Sequence, residues 1–344
     1  MKPVLVDSNV ILDVATRDPV WFAWAAGSLA AAAEQPTTAV AQADLQHTLE
    51  TLAERARPGL LGIAVLDLQS GKAWRVNADH AFPMMSMFKA PVAAAVLSRI
   101  ERGELSLGQQ VTIKRADVLS GSAVPSIGAK FRGEEMTFTV DQLLTAAVSE
   151  SDNTAVDALI RVVGGPQVVT AFLHAHGVDG MRVDLDEAGV GRVFRALAPG
   201  EAVPTNESAQ AEHARYQRGF QAFMADPRNR STPDAAVTFL RKLWRNELLS
   251  PTSTQHLLRL MYAQTKPNRL RAGLPKDVRF ADKTGTSGSL DGEVGAYNDM
   301  GILTWPDGHT VIVAALLSGS RATDAERDAL FAELGRRIAT AFQH

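Results

Sequence analysis

Apolar positions along the chain alternate between helical and strand periods, and each change of period marks an element. Leu45, Leu49, Leu52 and Ala56 recur at helical spacing, and Arg57-Pro58-Gly59 ends that helix. Two strands follow, Gly62 to Leu68 and Ala73 to Asn77, joined by the turn Gln69-Ser70-Gly71-Lys72. From Ser86 to about Leu197 the pattern is largely helical: Thr139 with Gln142 makes a capping box for a helix through Val148, and Gly164-Gly165-Pro166 separates two more helices. Strand patterns return at Val278 to Lys283, Asn298 to Trp305 and Thr310 to Ser318. Thr323 with Glu326 then caps a last helix whose Leu330, Leu334, Ile338 and Ala341 face the sheet. The two chain ends therefore build one sheet layer around an inserted helical layer. The expected fold class is α/β, an antiparallel sheet flanked by helices with an inserted all-α domain. The expected divisions are a leader or fused segment at 1–38, a sheet domain from 39–84 and 264–344, and a helical domain at 85–263 with an enlarged loop at about 182–232. The seam between two such layers is a favoured place for a cleft.

Composition narrows the chemistry. At 344 residues with 46% apolar and 21% charged side chains, the chain can bury a sizeable core and carries no mark of disorder. Net charge is −3 and the Lys and Arg are scattered singly, so no basic stripe invites nucleic acid. No cysteine is present, which excludes disulfides, thiolate nucleophiles and Cys-ligated zinc. His174 and His176 stand two apart, facing opposite sides of a helix, so neither a metal nor a cofactor is expected. Residues 20–33 form an apolar run of signal-peptide length, but Asp7, Asp13 and Asp18 precede it where basic residues belong. No stretch is long enough to cross a membrane uninterrupted, and the chain is expected to be a monomer.

Three short signatures occur in an order that suits chemistry at the cleft. Ser86-Met87-Phe88-Lys89 opens a predicted helix, and residues three apart share a face, so the Lys89 ammonium can reach the Ser86 hydroxyl near a helix N-terminus. Alone this match is uninformative, since a Ser-x-x-Lys is expected roughly once in a chain of this length. Pro91 predicts a kinked or non-ideal first turn. Ser151-Asp152-Asn153 lies in a loop between helices, where a hydroxyl can relay a proton to a leaving amine and the Asn153 amide can orient a carbonyl. Its chance expectation is only about 0.04. Lys283-Thr284-Gly285 lies on a strand leading into Thr286, whose backbone N–H, with that of Ser86, would form an oxyanion hole. Each triplet has a plain alternative: Ser-Asp-Asn is a common cap and Lys-Thr-Gly an ordinary strand end.

Together the three signatures resemble those of the class A β-lactamases and penicillin-binding proteins. The likeness runs from about residue 40 to 344 and includes Phe82-Pro83-Met84-Met85, Gly164-Gly165-Pro166 and Asn298-Asp299. It implies an acyl-enzyme mechanism on a small β-lactam substrate, with no cofactor and a periplasmic or secreted location. Ser86 would be the nucleophile, Lys89 its base or proton relay, and Ser151 the donor to the lactam nitrogen. Lys283 and Arg269, fourteen residues earlier, would bind the substrate carboxylate. The plain alternative for Arg269 is a solvated surface side chain. A lactamase also needs a base to release its acyl group. Glu187, thirty-six residues after Ser151, stands where the resemblance leads one to expect it, the alternative being an exposed loop carboxylate.

The omega-type loop around Glu187 departs from the family pattern. Val190 and Gly191 occupy the places of the usual Leu-Asn, and Leu185 and Asn229 those of the usual Arg to Asp salt bridge. About thirty extra residues precede Asp226-Pro227-Arg228, and the spacing of Val190, Val193, Phe194 and Leu197, then of Tyr216, Phe220 and Phe223, predicts two short helices. These either cover the cleft or pack outside it. Slow deacylation is the consequence expected of such a loop, with Asp186 and Glu207 as weaker substitute bases. A D-Ala-D-Ala carboxypeptidase or penicillin-binding protein and an esterase-like serine hydrolase remain open alternatives. The opening VLVDSNVILDV separately resembles the start of a PIN-type nuclease, with Asp7 as its early aspartate, but only about thirty residues carry that likeness.

Overall fold

The computed structural model describes residues 44–343. The expected leader and the nuclease-like opening at Asp7 lie outside the described residues. A five-stranded sheet runs in the spatial order Ala73–Val76, Leu60–Asp67, Thr310–Ser318, Tyr297–Thr304 and Arg279–Thr286, with every neighbouring pair antiparallel. The middle strand, TVIVAALLS, is apolar on both faces because both are covered. Val311, Val313, Ala315 and Leu317 point into a core with the helices at 44–55 and Asp324–Ala341. Ile312, Ala314 and Leu316 point into a second core shared with the helical layer. Capping boxes at Thr139 and Thr323 start helices Val140–Val148 and Asp324–Ala341, as their sequences predict.

At the centre of the helical layer, Lys89–Glu101 has every residue from Lys89 to Ser98 buried. Its alanines let helices Val140–Val148, Asn153–Val162, Pro166–Ala175 and Pro251–Tyr262 close around it. Within the stretch read as largely helical, Gln110–Lys114 and Glu135–Thr139 pair as an antiparallel hairpin. Val111 and Ile113 on one strand, Met136 and Phe138 on the other, alternate at period two, but over only five residues each. Among the described residues no single helix is long and apolar enough to cross a membrane.

Candidate active site

Ser86 sits in a 3-10 turn, Met85–Phe88, that feeds directly into Lys89–Glu101. Pro91 falls in the first turn of that helix, where backbone N–H groups lack helical partners. Met85 holds φ at 48°, unusual for a side chain of its size, so something must fix the turn. Asn298 does so from the sheet. Its Nδ2 donates to Pro83 O at 2.7 Å and Met84 O at 3.2 Å, while its Oδ1 accepts from Leu317 N at 3.2 Å. Gly285, paired with Asn298 in the sheet, completes the join: a Cβ there would stand 2.2 Å from Met84 O and 3.3 Å from Ser86 N. Only glycine lets the Lys-Thr-Gly strand run this close to the backbone of Ser86.

Buried Lys89, expected to reach the Ser86 hydroxyl, makes no hydrogen bond to it among the described residues and instead faces four acceptors: Asn153 Oδ1 at 2.6 Å, Ser151 O at 2.8 Å, Glu187 Oε1 at 3.1 Å and Ser151 Oγ at 3.4 Å. An ammonium has three protons, so the four compete. Ser151, held at φ 59°, also accepts from Lys283 Nζ at 3.1 Å, which places one hydroxyl between two lysines. Lys283 donates as well to Thr284 O at 3.1 Å. Burial, and then the nearby Lys89 charge, lower the Lys283 pKa to about 7. Asp152 fixes the loop by accepting from Ala155 N at 2.9 Å and Ile127 N at 3.0 Å.

Glu187 is not an exposed loop carboxylate. It is the first residue of helix Glu187–Phe194 and is 8% exposed. Apart from its ion pair with Lys89, its Oε1 has no hydrogen-bond partner among the described residues. Asp157, which the sequence reading overlooked, anchors this helix start by accepting from Glu187 N at 2.7 Å and Ala188 N at 3.0 Å. Burial, followed by the Asp186 charge, raises its pKa to about 7. Because the folded value lies above 3.8, the stability it contributes is full below that value and is lost as pH rises through about 7. Each unit of upward shift costs about 1.4 kcal/mol above that range. Urea denaturation from pH 4 to 8 is therefore expected to show falling stability, and Asp157→Asn a flatter profile; equal slopes would remove Asp157 as the cause.

Among the described residues no salt bridge crosses the neck of the loop between Leu185 and Asn229. Asn229 Oδ1 accepts from Asp184 N at 2.8 Å and Leu185 N at 2.9 Å, and its Nδ2 donates to Leu185 O at 2.9 Å. Its own carbonyl accepts from Met84 N at 2.9 Å, tying the neck to the turn that carries Ser86. The insertion forms one short helix, Glu187–Phe194, and one of 17 residues, Ala209–Ala225, where two short ones were expected. Phe194 packs against Phe220 and Phe223 with centroids 5.7 and 5.4 Å apart, and its ring also covers Gly288. Glu207 is engaged by Arg215, and Asp186 caps its own helix through Gly189 N, so both substitute bases are already committed to other partners.

Arg269 is not a solvated surface residue; it is 4% exposed. Its Nη1 donates to Gly285 O at 3.1 Å and to Asn298 O, its Nη2 to Thr286 Oγ1, and its guanidinium lies 3.9 Å from the Tyr297 ring centroid. It thus braces the Lys-Thr-Gly strand from behind and reaches the cleft through Thr286. His174 is exposed and pairs with Asp179 at 2.8 Å.

A family model described as the β-lactamase enzyme family matches residues 44–342. The chain belongs to that family, in its class A branch. The extended-spectrum β-lactamase PER-1 of Pseudomonas aeruginosa is 32% identical over 284 residues, covering 82% of each chain. β-Lactamase L2 of Stenotrophomonas maltophilia is 33% identical, covering 92% of this chain and 90% of that one. Among solved structures, an ancestral (GNCA) class A β-lactamase is 35% identical with a TM-score of 0.70, covering 87% of this chain and 100% of that one. This class A β-lactamase is a serine hydrolase acting on β-lactams, and its sheet and helical layers are those of the class A fold.

Proposed function

We propose that hydrolysis runs through an acyl-enzyme on Ser86 that Glu187 helps release. The observation that carries this reading is the buried constellation in which Ser151 Oγ lies between Lys89 and Lys283 while Lys89 also pairs with Glu187. Ser86 Oγ attacks the lactam carbonyl, and its proton passes to Lys89, acting as base in its neutral form or as a relay that hands one of its own protons on to Ser151. The backbone N–H groups of Ser86 and Thr286 hold the oxyanion. As the C–N bond breaks, Ser151 gives its proton to the lactam nitrogen and is reprotonated from a neighbouring lysine. A water activated by Glu187 then attacks the ester, restoring the Ser86 hydroxyl and freeing the ring-opened acid. Asn153 orients the substrate amide, and Lys283 and Thr284 meet its carboxylate, with Arg269 acting on it through Thr286.

Deacylation is the slower half in this reading. Val190 and Gly191 stand where a side-chain amide would help hold the water. Steady-state hydrolysis of a chromogenic cephalosporin, followed from the first milliseconds, is expected to show a burst and then slower turnover. Lasting acylation without turnover would instead leave a penicillin-binding protein.

A pH profile tests Lys283 separately. With its pKa at about 7, the free enzyme loses the cation as pH rises past that point, so kcat/KM should decline on the alkaline side. Lys283→Arg keeps its charge and should carry the decline more than one unit higher. Coincident alkaline limbs for the two proteins would remove Lys283 from carboxylate binding.

A further inference from the structure

The cleft beside Ser86, about 320 Å³, is walled on its far side by the loop insertion: Phe194, Arg195 and Tyr216 line it together with Asn153 and Glu187. Arg195 is a cation without a carboxylate partner among the described residues. Its Nε donates to Gly191 O at 3.0 Å, which leaves the terminal nitrogens of the guanidinium without a hydrogen bond among the described residues. Its backbone is pinned, since Arg215 Nη1 donates to Arg195 O at 2.9 Å and Arg215 is itself held by Glu207. The Arg195 side chain is half-buried at the wall, where a charge-assisted bond is stronger than in open water. The nearest acid on this wall, Glu187, is paired with Lys89 and so does not cancel the Arg195 charge. Tyr216, half-buried beside it, has the Arg215 guanidinium 4.9 Å from its ring centroid, and its hydroxyl has no hydrogen-bond partner among the described residues.

A β-lactam carries its ring carboxylate on one side of the scissile amide and its acylamino side chain on the other. With the ring carboxylate at Lys283, the side chain extends along the wall that holds Asn153, Arg195 and Tyr216. We propose that Arg195 and Tyr216 form a second anion-recognising subsite that favours β-lactams whose side chain bears both an aryl group and a carboxylate. This rests on the Ser86 reading above, and it makes the insertion a selector of doubly anionic substrates.

Benzylpenicillin and α-carboxybenzylpenicillin differ only by that carboxylate, so the ratio of their kcat/KM values isolates the subsite. Arg195→Gln is expected to lower the ratio for the carboxylated substrate about tenfold, mainly through KM, and Arg195→Lys to restore part of it. Arg218→Gln, which removes the same charge from an exposed position on the insertion outside the cleft, should leave the ratio unchanged. A ratio within about twofold of wild type in Arg195→Gln would overturn the proposal. Should that variant not fold, the wild-type ratio is measured from about 0.05 to about 0.5 M salt, where screening should lower it severalfold and a flat response would overturn the proposal. Failure to turn over either penicillin would contradict the Ser86 reading itself, whereas turnover with an insensitive ratio would sink only this subsite.

Discussion

Glu187→Gln is expected to convert this enzyme from one that turns over into one that stays acylated. The substitution removes the group that would activate the deacylating water, a general-base contribution of roughly 10²–10⁴-fold. Acylation should survive, because Asn153 Oδ1 and Ser151 O at 2.6 and 2.8 Å still hold Lys89 in place, and the proton route through Ser151 does not need Glu187. The glutamine is nearly the same size, so the helix start held by Asp157 has no reason to move. Rapid-quench kinetics with a penicillin should thus show a full burst and a much longer-lived adduct. Equal acyl-enzyme lifetimes for wild type and variant would take the role away from Glu187, and the inserted loop would become the place to look for the base.

Ser86→Ala should abolish both the burst and the turnover, a loss on the order of 10⁴–10⁶-fold in kcat. Unfolding would not be the reason. Ser86 is half-buried and its hydroxyl makes no hydrogen bond among the described residues, so its removal should change stability by no more than about 0.5 kcal/mol. The turn itself is held by Asn298 through Pro83 and Met84, and neither contact involves the Ser86 side chain. Retained hydrolysis in a well-folded Ser86→Ala protein would place the nucleophile elsewhere.

What the sequence made legible were features set by residues close together in the chain. The capping boxes at Thr139 and Thr323, the strand Thr310–Ser318 and the three signatures all depend on spacings of a few residues. Features that depend on distant partners were not legible. Asn298 acts on Pro83 across 215 positions, and Asp157 on Glu187 across 30; neither belongs to a local pattern. Asn229 looked like the loss of a salt bridge because the charge was missing. Its amide replaces that bridge with neutral bonds to Asp184 and Leu185. The hairpin of Gln110–Lys114 and Glu135–Thr139 escaped notice because five alternating residues inside a long helical stretch carry little signal. The left-handed backbone at Met85 and Ser151 likewise had no local signal, since neither residue type favours it, and only the surrounding structure shows it.

The most direct test of the account is the site and lifetime of the covalent adduct. Wild-type protein is mixed with a penicillin, quenched at intervals, weighed intact and then fragmented. The expected result is a gain of one whole ligand, carried on the peptide that contains Ser86, decaying as substrate is exhausted and persisting in Glu187→Gln. Turnover without any adduct, or an adduct on a residue other than Ser86, would contradict it.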